Sequence, residues 1–239
     1  MPPGAECASR AGERRGGIVK GEFEGNALPF WKDLSEEERA KISRETTVHR
    51  YGKGEHIHQN GECTGVIFIR SGCVRVYLLS DEGRDVTLYR LYAGDVCVLS
   101  APCVLRTIMF DVFVDAEEPS VCYQIGGAAF SQAAEQNLKL KVFACETALD
   151  RFSEVMWVMQ QILFMKTDRR LAVFLWNEMM RTESELIPLT QEQIAKYMNS
   201  AREVVSRVLK YFAGEQIVET GRKGVRILDK ERLKQIAYS

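Results

Sequence analysis

The chain has 239 residues, a formal net charge of -1, 46% hydrophobic and 27% charged residues, enough for two globular domains. Near-neutral charge excludes a global basic field, so any nucleic-acid binding must come from local charge. No apolar run approaches the length of a membrane span, and residues 1–25 lack the apolar core of a signal peptide. The odd count of seven cysteines, without framework spacing, fits reduced thiols in a cytoplasm.

Residues 1–25 read as a flexible arm, followed by a β-rich domain over 26–130, a helical segment over 131–166 and a C-terminal domain over 167–239. Ahead of the β-rich region, Ser35 with Glu38 three residues on is a capping-box signal for a short lead-in helix. The runs 66–70, 74–79 and 85–92 alternate or cluster β-branched and aromatic residues. Gly61, Gly72, Gly83 and Gly94 recur every 11 residues, one tight corner per strand. The spacing predicts an antiparallel β-roll, a jelly-roll-like double-stranded β-helix. His56 and His58 have the spacing of same-face strand ligands but read as surface residues.

From Leu138 the apolar positions Leu138, Val142, Cys145, Leu149, Phe152, Met156, Met159 and Leu163 alternate intervals of four and three. Such a heptad seam predicts a long helix that either packs on its own domain or, as its regularity favours, pairs in a homodimer. A second helix starts near Asp168 and ends near Thr182, ahead of Pro188.

The most specific signal spans 189–228. Thr190, with Gln193 three residues later, caps a helix; Asn199 and Ser200 form a turn; 201–214 is a second helix with Val204, Val205, Val208, Leu209 and Phe212 buried. Its exposed face would carry Arg202, Glu203, Ser206, Arg207 and Lys210. A strand, a Gly-Arg-Lys-Gly turn and a strand over 217–228 form a wing with Arg222 and Lys223 at its tip and Arg226 beyond. A recognition helix presents its N-terminal residues to base edges, Arg matching guanine N7 and O6 and Glu accepting from cytosine N4. Each residue alone could be a cap or a solvated charge; together they point to a winged helix-turn-helix contacting DNA through these residues, with Thr190, Gln191 and Ser200 at its margin. The fold class is therefore α+β: a β-roll, a long dimerisation helix and a C-terminal winged helix-turn-helix.

From about Leu28 to Ala237 the sequence resembles the CRP/FNR superfamily of transcription regulators, in its glycine-spaced roll, its long helix and the segment LTQEQIAKYMNSAREVVSRVLKYF. The resemblance implies a cytoplasmic homodimer, not an enzyme, that binds two-fold sites with TGA half-sites and works with RNA polymerase, as an activator or as a repressor. Ala201 and Asn199 depart from the Ser or Thr and the Gly that are common there. The family's cyclic-nucleotide members hold ribose with Gly-Glu and phosphate with Arg-Ser. Here Val98 and Leu99 stand at the first position and Phe110 and Asp111 at the second, so cyclic AMP is not expected; Arg106-Thr107 would serve only after a register shift. The iron–sulfur branch needs clustered N-terminal cysteines where this chain has Cys7 alone. The haem branch has a His where Leu99 stands, although Cys97 matches its thiolate and the Met-Pro-Pro start is like its proline ligand. The effector is thus an unknown small molecule, in a pocket lined by Cys97, Leu99, Cys103, Thr107 and Asp111. The alternatives are thiol oxidation at Cys97 and Cys103, or haem-based gas sensing. A cupin-like small-molecule enzyme is the reading from another class, and would need a His and carboxylate metal cluster in the roll.

Overall fold

The computed structural model describes residues 17–18, 23–59, 64–100 and 112–238. Cys7, Gly61, Cys103, Arg106, Thr107, Phe110 and Asp111 lie outside the described residues. The chain forms two compact units, 1–75 with 91–144 and 76–90 with 145–239.

In the first unit, helix α1 (Glu36–Arg44) is started by the capping box that Ser35 and Glu38 announce. Strands β1 (Gly17–Ile18), β2 (Thr46–Tyr51), β4 (Val66–Ser71), β7 (Val96–Cys97) and β9 (Ser120–Ile125) make a five-stranded sheet of order β1-β2-β9-β4-β7. Its described ladders are antiparallel. A four-stranded sheet has the order β3-β8-β5-β6, from β3 (His56–His58), β5 (Cys73–Leu79), β6 (Asp85–Tyr92) and β8 (Phe113–Ala116), of which β5 and β6 lie mostly in the stretch 76–90 that belongs to the second unit. Val66, Ile67, Phe68 and Ile69 are buried in succession, because this strand is covered on both faces; its run therefore clusters rather than alternates. Gly72, Gly83 and Gly94 all take positive φ, as the corner spacing predicts. At Gly72 a Cβ would lie 2.3 Å from Ser120 Oγ, so both conformation and room demand glycine there.

Two expectations need correction here. Within the arm expected over 1–25, Gly17 and Ile18 pair with Arg50 and His49, and Phe23 packs edge-on against Trp31 and Tyr123. His58 is buried rather than on the surface, its Nδ1 2.7 Å from Thr64 Oγ1, whereas His56 is half-exposed and pairs with Asp115 at 2.6 Å. A register shift between His56 and His58 places both of the buried residues, Ile57 and His58, in succession, so the two histidines do not share a face.

Helix α2 (Gly127–Gln136) leads into α3 (Leu138–Phe164) through Asn137. The Asn137 side-chain oxygen accepts from the N–H groups of Lys139 and Leu140 at 3.1 and 3.2 Å. Its amide donates to Asp33 O and Glu38 Oε2 at 2.8 and 3.1 Å. Asn137 is thus both the end of one helix and the cap of the next.

In the second unit, α4 (Thr167–Thr182) ends where Glu183 takes a left-handed conformation. Strand β10 (Leu186–Ile187), helices α5 (Gln191–Tyr197) and α6 (Arg202–Gly214), strands β11 (Val218–Gly221) and β12 (Gly224–Ile227) and helix α7 (Lys230–Tyr238) follow. The three strands pair antiparallel in the order β10-β12-β11. One apolar core, including Leu171, Leu175, Ile194, Leu209, Phe212 and Leu233, joins α4, α5, α6 and α7.

Candidate nucleic-acid interface

Helix α5 begins as its sequence dictates: Thr190 Oγ1 accepts from Gln193 N at 3.1 Å, and Thr190 N donates to Gln193 Oε1 at 3.0 Å. The capping bond uses a lone pair, so the Thr190 hydroxyl proton is still free to donate outward. Asn199 takes φ +54°, the left-handed turn that Asn tolerates, and Ser200 N closes it onto Ala195 O at 2.9 Å. Helix α6 then starts at Arg202 with Ala201 as its cap residue, without a side-chain cap. Its first amides stay open to an acceptor from outside. Val205, Leu209 and Phe212 bury the helix, while Val204 and Val208, expected in the buried stripe, are only partly covered.

The opposite side of α6 is open. Gln191, Arg202, Glu203, Ser206, Arg207 and Lys210 line one groove. Thr190, Gln191 and Arg202 line a second together with Arg222 and Lys223 from the wing, whose tip is the two-residue turn that the Gly221 to Gly224 pairing closes. The two grooves share Gln191 and Arg202, so nine of the ten expected DNA-contacting residues meet on one continuous face. Ser200, the tenth, lines neither groove. Arg226 turns elsewhere: with Trp176, Met180 and Lys230 it borders a different groove, where Lys230 first, and Arg226 after it, favour the charged form of Glu185. Five basic side chains, Arg202, Arg207, Lys210, Arg222 and Lys223, face two acidic ones, Glu192 and Glu203. A chain of net charge -1 thus carries a locally basic face.

The seam of α3 is exposed along its whole length, with Leu138 at 74%, Leu149 at 65%, Phe152 at 63% and Leu163 at 63%. Val142, Cys145, Met156 and Met159 are exposed as well. Only Leu140 and Ala144, between seam positions, are buried. Of the expected effector pocket, Cys97 and Leu99 are described, and both are buried. Burial, and then the neighbouring Cys97, push the Cys122 thiol up to about 12. Among the described residues no three of His, Cys, Asp and Glu come together as metal ligands would. No described helix is long and apolar enough to cross a membrane.

Sequence reasoning missed the share that strand β6 has in this unit. Arg90 of β6 pairs with buried Glu178 of α4 and lies 4.3 Å over the Tyr197 ring. A lone charge in each of the apolar runs LYRLY and LWNEMM was the available signal, since buried charges come paired.

Residues 48–137 match the cyclic nucleotide-binding domain family and residues 169–236 the Crp-like helix-turn-helix domain family. A transcriptional regulator of the Crp/Fnr family from Eubacterium rectale ATCC 33656, of known structure, is 37% identical. The similarity covers 90% of this chain and 100% of that one, with a TM-score of 0.81. The regulator designated flp of Lacticaseibacillus casei is 23% identical over 88% of this chain and 96% of its own. The transcriptional activator protein FnrA of Stutzerimonas stutzeri is 28% identical over 74% of this chain and 75% of its own. The chain belongs to the Crp/Fnr family of DNA-binding transcriptional regulators. That family is one of regulators and not of enzymes, which sets the cupin-like reading aside.

Proposed function

We propose that the chain works in the cytoplasm as a homodimer that reads a two-fold DNA site with TGA in each half-site. Arg202, Glu203 and Arg207 would meet base edges, with Ser206 and Lys210 beside them. Thr190, Gln191, Ser200, Arg222 and Lys223 would hold the phosphate backbone. The observation that carries this reading is the open basic face of α6 and the wing, presented by a chain with no net positive charge. Dimerisation through α3 is supported by the exposed seam, since a continuous apolar stripe left in water marks a partner's place. The similarity to a protein named as a transcriptional activator, FnrA, supports activation as the outcome, and RNA polymerase would be this chain's partner in it.

The signal enters the roll at the segment from Cys97 to Asp111, as a small molecule other than a cyclic nucleotide. Asp111 in place of a phosphate-binding guanidinium supports this exclusion. Oxidation is the weaker alternative, because Cys97 is without solvent access and thiolate chemistry needs an accessible, acidified thiol. The test is selection from random DNA by the full chain. Two-fold sites containing TGA, centred about one helical turn apart, are expected; asymmetric sites would refute the reading. Cyclic AMP and cyclic GMP should give no heat on titration at millimolar concentration.

A further inference from the structure

Strand β6 lies at the edge of its sheet, where backbone groups lack a neighbouring strand. Yet Thr87, in the middle of β6, is 4% exposed. Its N–H donates to Asn199 Oδ1 at 2.6 Å, and its C=O accepts from Asn199 Nδ2 at 2.8 Å. One carboxamide thus answers both groups of one edge residue, the exchange that a paired strand residue makes. The Thr87 hydroxyl also donates to Lys196 O at 2.9 Å, in the last turn of α5. Three residues on, Arg90 stacks over Tyr197 and pairs with Glu178, which Arg181 also engages at 2.8 Å. All of these residues belong to the second compact unit.

We propose that Asn199 is a positioning residue for DNA recognition: its amide fastens the turn between α5 and α6 to strand β6, and so sets the attitude of α6 without touching DNA. Glycine would satisfy the φ of +54° at this turn but has no amide to offer Thr87. The grip and the reading face are compatible. The residues lining the two DNA-facing grooves include none from β6, and Arg202, Glu203, Arg207 and Lys210 stay exposed. A turn already held costs less to order when the helix docks than one that fluctuates, so the fastening raises affinity for every sequence alike.

The experiment compares full-length wild type, Asn199→Gly and Thr87→Val on a selected operator. Asn199→Gly keeps the turn and removes the amide; Thr87→Val keeps the backbone groups that the amide meets and removes the hydroxyl that donates to Lys196 O. Hydrogen-exchange mass spectrometry of peptides spanning 85–90 reports the state of the bridge. The expected result is faster exchange there and affinity about tenfold lower for Asn199→Gly, with a smaller loss for Thr87→Val. Base preference and the slope of affinity against salt should not change, because no base or phosphate contact is removed. Unchanged or increased affinity with the bridge open overturns the proposal. So does a shallower salt slope, which would make Asn199 itself a phosphate contact. Should Asn199→Gly fail to fold, Thr87→Val decides: affinity equal to wild type, with its folding intact, refutes the positioning role.

Discussion

The carbonyl oxygen of Ile187 stands 2.0 Å from where a Cβ on Gly224 would be, and Gly224 itself takes φ +123°. Strand β10 can lie beside β12 only because that position has no side chain. Gly224→Ala should therefore cost about 1–3 kcal/mol from backbone strain alone, before the clash with Ile187 is counted. The wing turn would shift with it. Thermal unfolding should show the loss, and binding to unrelated DNA should weaken along with binding to the operator, since Arg222 and Lys223 ride on the displaced strand pair.

Arg207 and Lys223 should fail differently. Arg207→Ala is expected to lose about 1–3 kcal/mol of discrimination at one guanine of each half-site. Lys223→Ala should weaken all sequences alike and flatten the salt dependence. Gel shifts against single-base operator variants at two salt concentrations separate them. A Lys223→Ala protein with altered base preference would place the wing tip in a groove instead.

Leu149 and Phe152 are exposed mid-seam. Replacing both with Asp would put charge where a partner helix packs, which costs heavily when the charge has no counterpart. Light scattering should find monomers, and operator binding should fall steeply. A variant that remains dimeric would assign the interface to another surface.

Cys122 supplies an alkaline signature. Its folded thiol is pushed from 9.0 to about 12, first by burial and then by Cys97. Above the unfolded value the native state therefore holds more protons than the unfolded one. The resulting stabilisation is complete below about pH 9 and drains away as pH rises toward the folded value, at up to about 1.4 kcal/mol per pH unit. Chemical denaturation across this range should show a falling alkaline limb that Cys122→Ala makes shallower. Parallel limbs in the two proteins would mean that the thiol ionises as readily folded as unfolded.

What the sequence discloses and what it conceals divide along range. Both capping boxes, Ser35 with Glu38 and Thr190 with Gln193, are built from residues three apart and appear as written. The glycine corners and the exposed heptad of α3 are equally local in origin. Strand β10 has two residues, too few for any period, and exists because Gly224 admits Ile187 from across the sheet. The extra width assigned to the α6 stripe at Val204 and Val208 reflects a small unit with too few neighbours to cover them fully. The partial burial of β6 by the helix-turn-helix depends on Thr87 and Asn199, 112 residues apart. No window of local pattern contains both.

Glu38 stands at the beginning of two helices, closing the box of α1 through Ser35 and receiving the amide of Asn137 that starts α3. Burial opposes its ionisation, but the bonds from Ser35 and Asn137 prevail and hold its carboxyl below the usual carboxylate range. A carboxyl depressed in the folded state contributes its stability above the unfolded value and loses it as pH falls through the folded one. One acid group therefore braces the starts of both the lead-in helix and the long helix. Protonating it weakens one hydrogen bond at each beginning in a single step, so acid reaches two helices through one group while the Ser35 Oγ and Asn137 Oδ1 caps stay in place.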